Sequence, residues 1–241
     1  EQDRSDIEFG CKLGFDYIAA SFTRTADDIR AIREILYAQG SKMKIIAKIE
    51  SVQGVKNIKE IFRAEDGVMV ARGDLGVEVP AEDVPAIQKD IIKLGAKMGK
   101  IVITATQMLD SMIHNPRPTR AEVTDVANSI YDGTAAIMLS GETAAGSYPV
   151  EAVEMMSKIA EKTEQEINYS ERRRRLESEK QEDATTAISH ATCTLAEDVR
   201  ARAIITVTIS GFTARRLAKY RPECTVIACT VSQTVACQMN L

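Results

Sequence analysis

Three stretches of this sequence end apolar runs in residues that resist burial: AKIES at 47–51, MVARGDLG at 69–76 and ITATQML at 103–109. Lys48 and Glu50 lie two apart in a strand-like run, so they share a face. An ammonium beside a carboxylate can be a plain ion pair. Burying one for stability alone gains little, because desolvation roughly cancels the attraction. A divalent cation would be a better partner for Glu50, with Asp74 at the next strand end as second ligand. Two carboxylates completed by ligand oxygens suit Mg2+ or Mn2+. Gly73 and Gly76 flank Asp74 and permit close backbone approach. A short helical turn starting there would turn free N–H groups toward an anion; an ordinary turn with Asp74 as cap is the alternative. Thr106 adds a hydroxyl at the third strand end, a weak signal taken alone.

Other polar clusters carry less chemistry. HNPRPTRAE (114–122) is stiffened by two prolines, and Thr119 with Glu122 forms a capping box that starts a helix at 120. Its Arg117 and Arg120 can meet an anion, a partner subunit or only water. LSGETAAG (139–146) ends another apolar run in a glycine, a small polar residue and a carboxylate. TISGFTARR (208–216) places Thr208, Ser210, Gly211 and Thr213 just before a helix, where hydroxyls and N–H groups serve either as a plain cap or as a phosphate site for an effector. Neither a Rossmann nor a P-loop glycine pattern is present. With two histidines, a His-rich metal site or a Ser-His-Asp triad has little material.

The elements that must position these residues repeat one unit. FDYIAASF (15–22), KIIAKIE (44–50), GVMVARGD (67–74), KIVITATQ (100–107) and AAIMLSGE (135–142) are near-continuous apolar runs, as in strands covered on both faces. Amphipathic patterns separate them. Thr25 can cap a helix with Ile29, Ile32 and Leu36 on one face and Gly40 past its end. Residues 82–100, 120–133 and 149–169 read as further helices. Such βα repeats build a doubly wound sheet or a (β/α)8 barrel, and both gather chemistry at the carboxyl ends of their strands. After 170 the pattern changes. ERRRRLESEKQED (171–183) reads as a solvated helix end or linker, followed by helix 185–201, strand 203–210, helix 212–220 and strand 225–230. The expected organisation is a partial barrel domain at 1–171, a linker at 172–183 and a partial α/β unit at 184–241.

Composition bounds the partners. The 241 residues are 44% hydrophobic and 27% charged with net charge -4, which favours neither nucleic acid nor an anionic membrane. No apolar run approaches the length of a bilayer span, and the charged opening EQDRSDIEFG does not read as a secretory signal. Five cysteines, an odd number without C-x-x-C spacing, suggest reduced thiols in a cytoplasmic protein.

Taken in order and spacing, AKIES, MVARGDLGVEVPAE, ITATQMLDSM, NPRPTRAEVTDVANSIYDGT and IMLSGETAAGSYPVEAV closely resemble the pyruvate kinase family, in its bacterial branch. The resemblance covers essentially the whole chain. It implies a (β/α)8 TIM barrel of which strands four to eight are present, then the start of a three-layer α/β regulatory domain. It implies phosphoryl transfer from phosphoenolpyruvate to ADP, giving pyruvate and ATP, with Mg2+ or Mn2+ and usually K+. On matching positions, Glu50 and Asp74 would hold the divalent ion. Lys48 would stabilise the transferring phosphoryl group and the enolate. The Ala71–Asp74 backbone, through Arg72, Gly73 and Asp74, would receive the substrate carboxylate. Thr106 would bind substrate and help protonate the enolate carbon, and Ser21 and Phe22 would line the pocket.

The resemblance also implies missing parts: three barrel strands, a lid domain, the arginine that grips the substrate phosphate, most K+ ligands and the end of the regulatory domain. Phe212 departs from the basic or polar residue that many relatives carry in the effector loop. This chain alone is therefore expected to be inactive, although the complete enzyme, a homotetramer in this family, would not be. Two other readings compete: a Mg2+-dependent carbon–carbon lyase on the same barrel, and a non-catalytic regulatory fragment.

Overall fold

The computed structural model describes residues 1–177 and 183–241, with the side chains of 175–177 left aside, and divides into two compact units, Glu1–Ile167 and Asn168–Leu241. In the first unit five strands form one sheet: β1 (Tyr17–Ala20), β2 (Lys44–Ile49), β3 (Gly67–Ala71), β4 (Ile101–Ala105) and β5 (Ala136–Met138). All neighbours are parallel and the spatial order follows the chain order. A doubly wound sheet reverses its order at a switch point. This one never does, so it is a segment of a singly wound barrel.

Alternation on the strands separates two apolar layers. Ile45, Ala47, Ile49, Val68, Val70 and Val102 pack beneath the helices, while Ile46, Met69, Ile103 and Ala105 pack on the opposite, inner face. The central strand β3 is buried throughout, whereas β5 is only half-buried and, like β1, pairs on one side only among the described residues. Register carries the inner rows across the sheet: Lys48 lies beside Met69, Met69 beside Ile103, and Ile103 beside Ala136. Lys48 is thus the polar member of an otherwise apolar row.

The helices start and stop where local chemistry dictates. Asp28 accepts the Thr25 N–H at 2.8 Å and starts the helix Ala26–Ala38, and Gly40 adopts a left-handed φ of 63° beyond it. The expected helix at 149–169 instead stops at Gln165. Asn168 Oδ1 accepts the Glu171 N–H at 2.9 Å and starts a new helix, Tyr169–Glu177. Helices Gln2–Leu13, Val52–Lys56 and Ile58–Ala64 were not expected from the sequence. No helix of the described residues is long and apolar enough to cross a membrane.

In the second unit β6 (Ala203–Val207) and β7 (Thr225–Cys229) are parallel. Ile204 shares a core with Cys193 and Ala196 of the helix Ala184–Asp198, Leu217 of the helix Phe212–Lys219 and Tyr220 just past its end. Ile205 and Val207 of the other face are exposed. Of the expected linker, 172–177 continues a helix and Asp183 caps the next one; residues 178–182 lie outside the described residues.

Candidate active site

The polar strand ends form two contact groups on neighbouring strands. The first holds Ser21, Phe22, Lys48 and Glu50. Glu50 follows β2 and is completely buried. One carboxylate oxygen, Oε2, accepts the Phe22 N–H at 2.5 Å. The turn that delivers this donor puts Phe22 at a positive φ of 52°, an uncommon position for a bulky residue. The other oxygen, Oε1, is 2.6 Å from Lys48 Nζ, yet forms no hydrogen bond of proper geometry. Proximity and direction disagree here, and direction matters more for satisfying a lone pair. Lys48 Nζ instead donates to Ser21 Oγ at 3.2 Å. Glu50 therefore presents a buried carboxylate oxygen without a directed donor, the form of oxygen a hard cation takes.

The second group is built on the ends of β3 and β4. Gly73 donates its N–H to Thr106 Oγ1 at 2.8 Å. A side chain at Gly73 would bring Cβ to 3.4 Å from that same oxygen, the near limit of ordinary van der Waals contact. Thr106 and Gln107 both hold positive φ, 69° and 51°, where β4 turns sharply out of the sheet. As the sequence allowed, a short helix, Arg72–Glu78, begins at RGDLG. Asp74 lies exposed in its first turn.

Arg72 is used differently from its backbone neighbours. Its side chain is 10% exposed, and the guanidinium donates to both carboxylate oxygens of Asp125, at 2.8 and 2.6 Å, and to the Thr106 and Gln107 carbonyls at 2.7 and 3.0 Å. The side chain thus clamps the two strand ends to the helix Arg120–Asp132. Asp125 is 53 positions away, and no local pattern marks the pair. The sequence marks Glu142 only as the carboxylate of LSGETAAG, without a role. Buried, it accepts the Leu109 N–H at 3.0 Å and the Ser140 N–H at 2.8 Å, and so orders the segment after Thr106. A carboxylate right after a strand-end Ser-Gly was the only available signal.

Among the described residues no group of three or more His, Cys, Asp or Glu side chains converges on one point. The chain offers instead the unsatisfied oxygen of Glu50 and, at the next strand end, the exposed carboxylate of Asp74. That set matches Mg2+, which keeps waters and substrate oxygens as its remaining ligands, and not a closed protein cage.

The other motif forms part of the second unit. Thr208 is buried and its N–H donates to the Cys229 carbonyl at 2.9 Å. Gly211, at φ 76°, precedes the helix that carries Thr213, and Arg215 reaches back to the Ser210 carbonyl at 3.0 Å.

A singly wound parallel sheet with polar carboxyl ends, followed by an α/β unit, defines a β/α-barrel protein with an appended domain. The family model described as "Pyruvate kinase, barrel domain" matches residues 1–153, and "Pyruvate kinase, alpha/beta domain" matches 186–241. The pyruvate kinase of Clostridium acetobutylicum is 54% identical over 237 residues, covering 98% of this chain and 50% of the relative. That of Geobacillus stearothermophilus is 54% identical over 242 residues, covering 100% of this chain and 41% of the relative. A crystal structure of a pyruvate kinase from Cryptosporidium parvum superposes with a TM-score of 0.97 at 44% identity, covering 99% of this chain and 50% of that one. The chain belongs to the pyruvate kinase family. It spans about half the length of the curated relatives it matches.

Proposed function

We propose that the strand-end site serves phosphoryl transfer from phosphoenolpyruvate to ADP in the complete protein, and that this chain alone has no appreciable turnover. The observation that carries the reading is Glu50: fully buried, with one oxygen lacking a directed donor and an ammonium beside it. Glu50 and Asp74 would hold Mg2+ or Mn2+, which supplies charge neutralisation at the phosphoryl and enolate oxygens. Lys48 is already fixed by Ser21 and Glu50. It can therefore stabilise negative charge on the transferring group and the enolate with little reorganisation. Thr106 accepts from Gly73, so its own proton is free to point toward substrate. Reception of the substrate carboxylate by the 71–74 backbone requires the Gly73 N–H to leave Thr106 Oγ1. The same movement readies the hydroxyl to help deliver a proton to the enolate carbon. Ser21 and Phe22 line the pocket, and Arg72 and Asp74 contribute through the backbone that Arg72 anchors.

The same reading includes K+ as a second cation, a homotetramer for the complete enzyme, a cytoplasmic location and a phosphorylated effector at Thr208, Ser210, Gly211 and Thr213. Family membership supports these, with the glycine-capped helix start as the local observation for the effector.

The test is a Mn2+ titration of the chain, followed by water-proton relaxation, with and without oxalate as a substrate analogue. Binding tightened by oxalate and lost in both Glu50→Gln and Asp74→Asn is the expected outcome. Binding indifferent to both substitutions would overturn the metal assignment. A coupled pyruvate assay checks the second half of the proposal, and turnover near that of an intact relative would refute it.

A further inference from the structure

A cavity of about 540 Å³ opens in the second unit at the amino ends of β6 and β7. Arg202 on its wall immediately precedes β6, and Cys224 immediately precedes β7. It therefore lies at the opposite end of these strands from Thr208–Thr213. We propose that this cavity binds a small phosphate monoester with a compact apolar body, at a site separate from the loop at the strands' carboxyl ends.

Charge points to the ligand. Arg173 and Glu197 form an ion pair in the wall, and Glu197 also accepts from Ser170 Oγ, so that pair neutralises itself. Arg200 and Arg202 also line the cavity. Both are exposed, and neither makes an ion pair or side-chain hydrogen bond among the described residues. Among the described residues, Glu223 is the one acid left to oppose them on the wall. Two guanidinium forks against one carboxylate leave net positive charge, and such forks match phosphate oxygens in pairs.

Position is fixed as well. Arg200 sits at a left-handed φ of 52°, with its N–H on the Glu197 carbonyl at 3.0 Å, and the next N–H reaches the Ala196 carbonyl at 2.8 Å. The helix end therefore holds the backbone that carries Arg200, and Arg202 is held one residue before β6. Size and lining supply the rest. The volume exceeds what a bare phosphate fills and lies within the usual range for small-molecule pockets. Cys193, Ala196 and Pro222 give it an apolar wall.

Cys224 serves as the reporter. Burial pushes the Cys193 thiol up to about 11, with Arg173 opposing and Cys224 adding to the rise, so Cys193 reacts slowly. Cys224 is only half-buried. The experiment measures iodoacetamide alkylation of Cys224 in the intact chain by peptide mass spectrometry. The probes are phenyl phosphate, inorganic phosphate and phenol. Phenyl phosphate is expected to slow alkylation severalfold, inorganic phosphate to do so only at higher concentration, and phenol not at all. The Arg200→Gln/Arg202→Gln double variant should need on the order of a hundredfold more phenyl phosphate, about tenfold for each of the two charge-assisted pairs lost. Both residues are exposed, so the variant should keep its far-UV circular dichroism. The Ser210→Ala/Thr213→Val variant should behave as the parent chain does. Absence of protection, or protection unchanged in the arginine variant, would refute the site. Protection lost in the Ser210/Thr213 variant would move it to the opposite strand ends. Equal protection by inorganic phosphate would refute the apolar part of the ligand.

Discussion

The two ends of the barrel sheet each bury a glutamate, and they treat it differently. At the carboxyl ends, Glu50 has the Phe22 N–H on one oxygen and the Lys48 ammonium 2.6 Å from the other. At the amino ends, Glu65 just before β3 is 2% exposed, and neither of its carboxyl oxygens has a hydrogen-bond partner. Burial raises the Glu65 pKa to about 9; the Lys100 charge opposes this, Asp66 adds to it and Arg33 opposes it. Lys100 donates to the Glu65 backbone carbonyl and not to the carboxyl. The neighbouring Asp66 shows the alternative. Burial acts to raise its pKa as well, but hydrogen bonds from the Ile45 N–H, Lys44 and Arg33, each at 3.0 Å, outweigh it and hold the carboxyl below its ordinary value. A buried carboxyl without a directed partner is therefore not in itself a metal site. Glu50 differs from Glu65 in having a cation and a donor at hand.

The largest expected effect breaks this comparison at the base. The folded value of Glu65, about 9, lies above its ordinary value of 4.5, so Glu65 takes nothing from stability below about pH 4.5 and progressively more as pH rises toward 9. At pH 7 the loss is on the order of 3 kcal/mol. Glu65→Gln should remove that dependence. Urea unfolding at pH 5, 7 and 9 should show the variant gaining on the parent chain as pH rises; parallel curves would refute the assignment. Asp66→Asn should act in the opposite sense, destabilising by about 2 kcal/mol through loss of charge-assisted hydrogen bonds. The stability Asp66 contributes is present above its ordinary pKa of 3.8 and lost as pH falls through its lowered folded value. Removing this negative neighbour should also shift the Glu65 transition to lower pH, so the two substitutions should not add. Strict additivity would sink the coupling.

Much of this architecture is legible in the sequence because it is local. The runs 44–49 and 67–71 read as strands because both faces are covered, and Thr25 and the Thr119–Glu122 pair announce helix starts within four residues. The gathering of polar residues at strand ends is legible for the same reason, since Lys48, Glu50, Gly73 and Thr106 each end an apolar run. Barrel and doubly wound sheet share one local pattern, and only the strand order, or likeness to a family, separates them. Long-range pairs leave no local trace. Arg72 looks like a site residue beside Gly73 and Asp74, yet its guanidinium reaches Asp125 on another helix. Which glutamates are buried is equally hidden: Glu65 sits in the charged-looking RAED, and Glu142 in the small, polar SGETA. Asn168 could have been read as a helix start inside the long 149–169 pattern, but the surrounding charged residues continue the helical appearance without a break.

Smaller effects separate stability from chemistry at the carboxyl ends. Glu122 accepts from the Ser111 N–H and Oγ at 2.7 and 2.6 Å and from the Thr119 N–H and Oγ at 2.6 and 2.8 Å. Glu122→Ala should cost about 1–2 kcal/mol as a lost cap and should loosen the 108–113 segment, read as faster amide exchange at Ser111. Unchanged exchange there would show that Glu122 is not what holds the segment.

Gly73→Ala should have the smallest effect on stability. Alanine is favoured over glycine inside a helix by about 0.5–1 kcal/mol, and its Cβ would meet Thr106 Oγ1 at 3.4 Å, the near limit of ordinary van der Waals contact. Position 73 lies in the first turn, where that preference is smaller, so urea unfolding should move by less than about 0.5 kcal/mol. The oxalate-induced tightening of Mn2+ binding should nevertheless disappear, because the added methyl sits against the hydroxyl that would meet the analogue's carboxylate. Metal affinity without oxalate should stay, since Glu50 and Asp74 are untouched. Loss of both affinities together would mean that Gly73 supports the whole strand end, and that metal and analogue do not use separable groups.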